Sequence, residues 1–145
     1  MVGSSDILNA GILVVDDQET NILLLERMLR SAGYTSIAST RDPHQVCELH
    51  RKNRYDLILL DLQMPGMDGF QVMENLKSAL ALAGATFDDV CKCTCWLQDA
   101  RDFVAFNRIY MSYFPNGRPA RSTTEARLMV DAKVEIDVIA YKPRG

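Results

Sequence analysis

YDLILLDLQMPGMDGF, residues 55–70, decides how the first half of the chain folds. Its apolar run Leu57-Ile58-Leu59-Leu60 stops abruptly at an acid, Asp61. Pro65, Gly66 and Gly69 break the pattern before a helical periodicity takes over. Four to eight apolar residues without alternation, closed by turn residues, predict a strand buried on both faces. An acid at the carboxyl end of such a strand lies where open α/β sheets place their ligands.

Upstream, residues 11–17, GILVVDD, form a second short apolar run ending in acids. From Thr20 to Ala32, the residues Ile22, Leu25, Met28, Leu29 and Ala32 keep a helical period, and Gly33 suits the C-terminal cap. Residues 36–40 predict a weaker strand. Asp42-Pro43 is an N-cap followed by proline at the first helical position, so a helix to about Asn53 is expected. With the strand at 56–61 and a helix from about Gly69, this half is β-α-β-α-β-α. Right-handed crossovers make its strands parallel, and a flavodoxin-like order 2-1-3 sets the first strand beside the third.

Asp16 and Asp17 then face Asp61. Three carboxylates this close repel and raise one another's proton affinity unless a cation joins them. Mg2+ suits such a site, because it takes oxygen ligands and also grips phosphate. The chemistry this allows is attack by a carboxylate on a phosphoryl group. Either acid alone reads more simply as a helix cap or a strand end; the set at this spacing points to phosphoryl chemistry.

The pieces ILVVDD at 12–17 and DLILLDLQMPGMDG at 56–69, with the spacing between them, resemble the receiver domain of two-component response regulators. The resemblance covers residues 11–77. It implies that Asp61 accepts the phosphoryl group. Asp16 and Asp17 would hold Mg2+, with the backbone carbonyl of Gln63 as a further ligand. The donor would be a histidine kinase or phosphotransfer protein. The family also expects a fourth strand ending in Ser or Thr and a fifth ending in Lys, and neither follows in the usual context. Thr94 lies in mid-strand, while Lys142-Pro143 follows a strand and reads like the receiver's own Lys-Pro.

Residues 74–142 carry a different text. A stripe of Phe70, Met73, Leu76, Leu80 and Ala83 continues the helix through the join, and Gly84 caps it. Strands are expected at 90–97, 120–128 and 133–141, the last alternating Val134, Ile136, Val138 and Ala140 against Glu135 and Asp137. A helix over 102–114 sets Phe103, Phe106, Asn107, Tyr110 and Phe114 along one side. No Pro/Gly/Ser-rich linker separates the halves.

ENLKSALALAGATFDDVCKCTCWLQDARDFVAFNRIY, PARSTTEARL and AKVEIDVIAY resemble the Rid/YjgF family of imine deaminases. The likeness covers roughly the carboxyl-terminal half of that family's domain. It implies that Arg121 binds a substrate carboxylate, that Glu135 positions or activates the attacking water, and that Asn107 occupies a recurrent position. It also implies a homotrimer with sites between subunits. Thr123 stands where many members have cysteine.

The expected class is therefore α/β: a receiver-like half continued by a Rid-like α-β-α-β-β half. If both patterns are respected, the strands join one hybrid mixed sheet, with the final two paired as an antiparallel edge. The favoured function is phosphoryl acceptance at Asp61. The alternatives are a Rid-like deaminase of 2-iminobutanoate or 2-aminoacrylate with an incomplete site, and a chimera that folds with neither activity.

Composition narrows the partners. The 145 residues are 48% hydrophobic and 24% charged, with net charge -3. That is globular, without the basic run of a nucleic-acid binder or an apolar run of membrane-spanning length. Four cysteines without the basic and apolar regions of a signal peptide suggest reduced thiols in a cytoplasm. Cys91, Cys93 and Cys95 alternate along a strand and are expected to share one face as small packing residues. His44 and His50, six apart, lack a ligand spacing. The aromatics Trp96, Phe103, Phe106, Tyr110 and Phe114 are expected to pack.

Overall fold

A computed structural model describes residues 3–61, 69–129 and 131–143. The chain divides into two compact units, residues 1–63 and 64–145.

The first unit runs α1 (Ser4–Leu8), β1 (Ile12–Val15), α2 (Glu19–Ser31), β2 (Ile37–Thr40), α3 (Val46–Asn53) and β3 (Leu57–Leu60). Its sheet has the expected order β2-β1-β3, and both pairings are parallel. All four residues of β1 are buried, as a central strand of branched apolar residues should be. Ile12 and Val14 pack with Ile22 of α2, flanked by Leu25, Leu29 and Leu59. β3 departs from expectation. It lies at the edge of its sheet, and Leu57 is 47% exposed although its run reads as doubly buried.

Helix ends follow local chemistry. At the end of α2 the Gly33 N–H donates to the Arg30 carbonyl and the Tyr34 N–H to that of Leu29. This is a Schellman closure, and Gly33 supplies the required positive φ of 97°. Asp42 accepts from the His44 N–H at 2.9 Å, and Pro43 opens a single 3-10 turn, Pro43–Gln45, ahead of α3. The short helix α1 lacks an apolar period long enough to be seen in sequence.

The second unit comprises α4 (Gly69–Leu82), β4 (Val90–Leu97), α5 (Phe103–Ser112), β5 (Ala120–Glu125) and β6 (Val134–Ala140). α4 buries Val72, Met73, Leu76, Ala79 and Leu80, and closes on Gly84 (φ 73°) with the same pair of hydrogen bonds as α2. That face packs with Phe106, Tyr110 and Phe114 from the region of α5 and with Val90, Cys93, Cys95 and Leu97 of β4.

The expected hybrid sheet does not form. The strands make two separate sheets, and the second has the order β5-β4-β6. β5 runs parallel to β4 and β6 antiparallel to it, so both edges of β4 are taken and none remains to extend the first sheet. The expected β5–β6 hairpin is also corrected. β4 carries the most deeply buried apolar face of the three strands and takes the centre, separating the other two. A register shift between Val90 and Lys92 breaks the alternation of β4. Cys93 and Cys95 are buried and Cys91 is exposed, so the three thiols do not share one face.

Candidate functional site

Each unit carries one candidate site. In the first, Val15 is paired with Leu60, so the next residues, Asp16 and Asp61, leave adjacent parallel strands side by side. Asp16 is only 3% exposed. Its Oδ1 accepts from the Gln18 N–H at 2.8 Å, which holds the entry to α2, and the Asn21 amide donates to both carboxylate oxygens at 3.0 and 3.3 Å. Asp17 is exposed, and its backbone carbonyl accepts from Arg41 Nε at 3.2 Å. The Asp61 N–H donates to the Val15 carbonyl at 2.9 Å. Partial burial, and then the charges of Asp16 and Asp17, push the Asp61 carboxyl above the usual carboxylate range.

These hard oxygen donors, in mutual repulsion, suit Mg2+ by their chemistry. No group of three or more His, Cys, Asp or Glu side chains among the described residues is already arranged to hold a metal. Both oxygens of Asp16 are engaged by protein donors. Gln63, expected to supply a carbonyl, lies outside the described residues. Lys142 belongs to the second unit, where its Nζ donates to the Gly84 carbonyl at 2.6 Å, at the carboxyl end of α4. Thr94, on the central strand of the second sheet, lies in the same unit.

The second site lies between α5 and its sheet. Arg121 of β5 is paired with Cys93, and Thr123 with Cys95. The two β5 side chains thus share a face with the buried thiols and with Ile136 and Val138 of β6. Arg121 Nη2 donates to Asn107 Oδ1 of α5 at 2.8 Å. The guanidinium carbon stands 4.4 Å from the centre of the Tyr110 ring and 5.9 Å from that of Phe103. Among the described residues, buried Nη1 of Arg121 has no hydrogen-bond partner, and buried Oγ1 of Thr123 has none of good geometry and lies against the Cys95 thiol. Among the described residues Arg121 forms no ion pair. A half-buried guanidinium that is stacked on one side, bonded on another and short of one acceptor has a donor free for an anion.

Burial pushes the Cys95 thiol up to about 11, and burial likewise raises Cys93. Both stay neutral at ordinary pH, so neither neutralises Arg121. The Tyr110 hydroxyl also lacks a partner of good geometry and lies against the Cys93 thiol. Glu135 is not part of this cluster. It is paired with Trp96, one position out of phase with Cys95, so it stands exposed on the opposite face of the sheet from Arg121. Sequence reasoning treated Tyr110 as packing alone. The spacing of Asn107 and Tyr110, three apart on a helix, and of Arg121 and Thr123, two apart on a strand, is the signal that groups them.

Residues 66–142, more than half of the sequence, match the family described as endoribonuclease L-PSP. The chain belongs to the endoribonuclease L-PSP family. Residues 12–83 also match the response regulator receiver domain, so α4 falls in both matches. Among L-PSP-type relatives, the RutC family protein PH0854 of Pyrococcus horikoshii is 45% identical over 73 residues, covering 50% of this chain and 58% of that protein. The chloroplastic Reactive Intermediate Deaminase A of Arabidopsis thaliana is 45% identical over 71 residues, 48% of this chain and 38% of that protein. For the receiver half, the response regulator PleD of Caulobacter vibrioides is 44% identical over 70 residues, 48% of this chain and 15% of that protein. Among solved structures, Escherichia coli TdcF with bound serine gives a TM-score of 0.51 at 30% identity, covering 56% of this chain and 69% of that one. The YjgF gene product of Escherichia coli gives 0.50 at 32% identity, with the same coverage. The chain thus spans 58% of the Pyrococcus protein and 38% of the Arabidopsis one.

Proposed function

We propose that the chain is a phosphorelay module that accepts a phosphoryl group on Asp61 from the phosphohistidine of a kinase or phosphotransfer protein. The observation that carries this reading is the meeting of Asp16, Asp17 and Asp61 at one end of β1 and β3, close enough for the first two to raise the proton affinity of the third. Asp16, Asp17 and Asp61, with the Gln63 carbonyl, would hold Mg2+, which supplies charge neutralisation for the oxygens of the transferred group. A carboxylate oxygen of Asp61 attacks phosphorus, the phosphorus–nitrogen bond to the donor breaks, and the imidazole leaves with the electron pair. Among the described residues, Oδ2 of Asp16 accepts only from the Asn21 amide, at 3.0 Å, which leaves that oxygen a second lone pair for the cation.

A second reading is favoured by the unpaired Nη1 of Arg121: a small carboxylate bound in the second unit, as in a Rid-like hydrolase of reactive imines. Arg121 and Glu135 lie on opposite faces of one sheet. If both serve one reaction, Glu135 of a second copy must complete the site, which agrees with a trimer. Substitution separates the two readings. Asp61→Asn should abolish phosphoryl labelling and spare imine hydrolysis, and Arg121→Ala should do the reverse. Labelling that survives Asp61→Asn would remove the central residue of the first reading.

A further inference from the structure

Among the described residues Asp16 is the one buried charged side chain. Its backbone is tied on both sides. The Asp16 N–H donates to the Thr40 carbonyl at 3.4 Å, and Arg41 Nε pins the next carbonyl, that of Asp17, at 3.2 Å. Its side chain is held as firmly. An ionised carboxylate offers about two acceptor positions on each oxygen. Oδ1 fills both, with the Gln18 N–H at 2.8 Å and the Asn21 amide at 3.3 Å. Oδ2 fills one, with the same Asn21 nitrogen at 3.0 Å. The Gln18 contact is an Asx turn, which any residue but proline at that position would complete. The Asn21 contact depends on one particular side chain. Asparagine is a weak helix former, so its place in the first turn of α2 calls for a reason beyond the helix itself. What the amide does is straddle both oxygens, which sets the plane of the carboxylate and leaves a single acceptor position, on Oδ2.

Resting on the reading of Asp16, Asp17 and Asp61 as a Mg2+ site, we infer that Asn21 determines which divalent cation that site accepts. It makes Asp16 a ligand of one oxygen and one direction, and so favours Mg2+ over Ca2+. Mg2+ is small and demands near-ideal octahedral order, for which a fixed single oxygen is suited. Ca2+ takes about six to eight oxygens in flexible order and accepts carboxylates through both oxygens. With Asn21 across both, Asp16 has no pair of oxygens to give. Asn21 acts through Asp16 and is a positioning residue, not a ligand.

The test is separate titration of Mg2+ and Ca2+ into the full chain by calorimetry, with no phosphodonor present. The quantity read is the ratio of the Ca2+ Kd to the Mg2+ Kd. Asn21→Leu is close in size, suits a helix better and frees a position on each oxygen of Asp16. It should lower the ratio about three- to ten-fold, the scale of one hydrogen bond, mainly by tightening Ca2+. Asn21→Ala should shift it the same way, and urea unfolding followed by circular dichroism verifies the fold of both. A role in helix stability alone would move the unfolding midpoint and leave the ratio where it was. An unchanged or raised ratio in the folded variants overturns the role of Asn21 and leaves the Mg2+ site standing. No binding of either ion by the wild type at millimolar concentration, or binding that Asp16→Ala leaves intact, overturns the Mg2+ reading and this inference with it.

Discussion

Replacing Arg121 with methionine separates a residue kept for binding from one kept for stability. The change removes one charged hydrogen bond, to Asn107, worth about 1.5–3 kcal/mol. It also removes a stack on Tyr110 worth about 0.5–2 kcal/mol. In return it abolishes the unpaired Nη1, which costs about 1–3 kcal/mol, together with the desolvation of a cation that has no acidic partner among the described residues. Methionine keeps an unbranched apolar stem against the ring, and the half-buried Asn107 can turn its oxygen to water. These opposing contributions nearly cancel, so the expected change in stability is about 1 kcal/mol or less in either direction. Urea unfolding followed through Trp96, the chain's one tryptophan, reports the second unit, since that residue lies in its central strand. With a slope of about 1–3 kcal/mol per molar urea, the midpoint should move by less than about 1 M. Carboxylate binding should be lost in the same variant. A destabilisation above about 3 kcal/mol, the size seen when a buried charge loses its partner, would make Arg121 a structural hub and refute the argument.

Three further outcomes follow from local geometry. Gly84→Ala places a side chain at φ 73° with open space around it, so only backbone strain is charged; about 1 kcal/mol should be lost in the same urea assay. Asp42→Ala removes the cap on the His44 N–H, which should cost about 1 kcal/mol and lower the hydrogen-exchange protection of α3 in particular. The Tyr113 hydroxyl donates to Glu74 at 2.6 Å, and burial, then Glu74, pushes its pKa up to about 12. The protonated phenol is therefore favoured in the fold. Its contribution is fully present below the unfolded value of about 10 and is lost as pH rises from there towards 12. Tyr113→Phe should flatten that part of the stability profile, and an unchanged slope would contradict the assignment.

Most elements were legible because each carries its own period and punctuation. The alternation of strands and helices announced parallel strands in the first unit, and Gly33 and Gly84 announced the closures of α2 and α4. Sheet membership was not legible. Nothing local in β3 or β4 records that the two edges of β4 are claimed by β5 and β6, since that competition is decided over long range. The face of Cys91 was misread because a bulge adds one residue to a strict alternation. Glu135 and Arg121 were joined by a family resemblance that sets its sites between subunits; within one chain their registers against β4 set them on opposite faces. Spacing groups Asn107 with Tyr110 on α5 and Arg121 with Thr123 on β5, but not the two pairs with each other, so Tyr110 read as packing alone.

The most direct test of the central claim is the intact mass of the purified chain after incubation with acetyl phosphate, with and without Mg2+, beside Asp61→Asn. The account predicts a gain of one phosphoryl group that requires Mg2+ and is absent from the variant. No gain in a folded wild-type sample with Mg2+ present, or the same gain in Asp61→Asn, would contradict it.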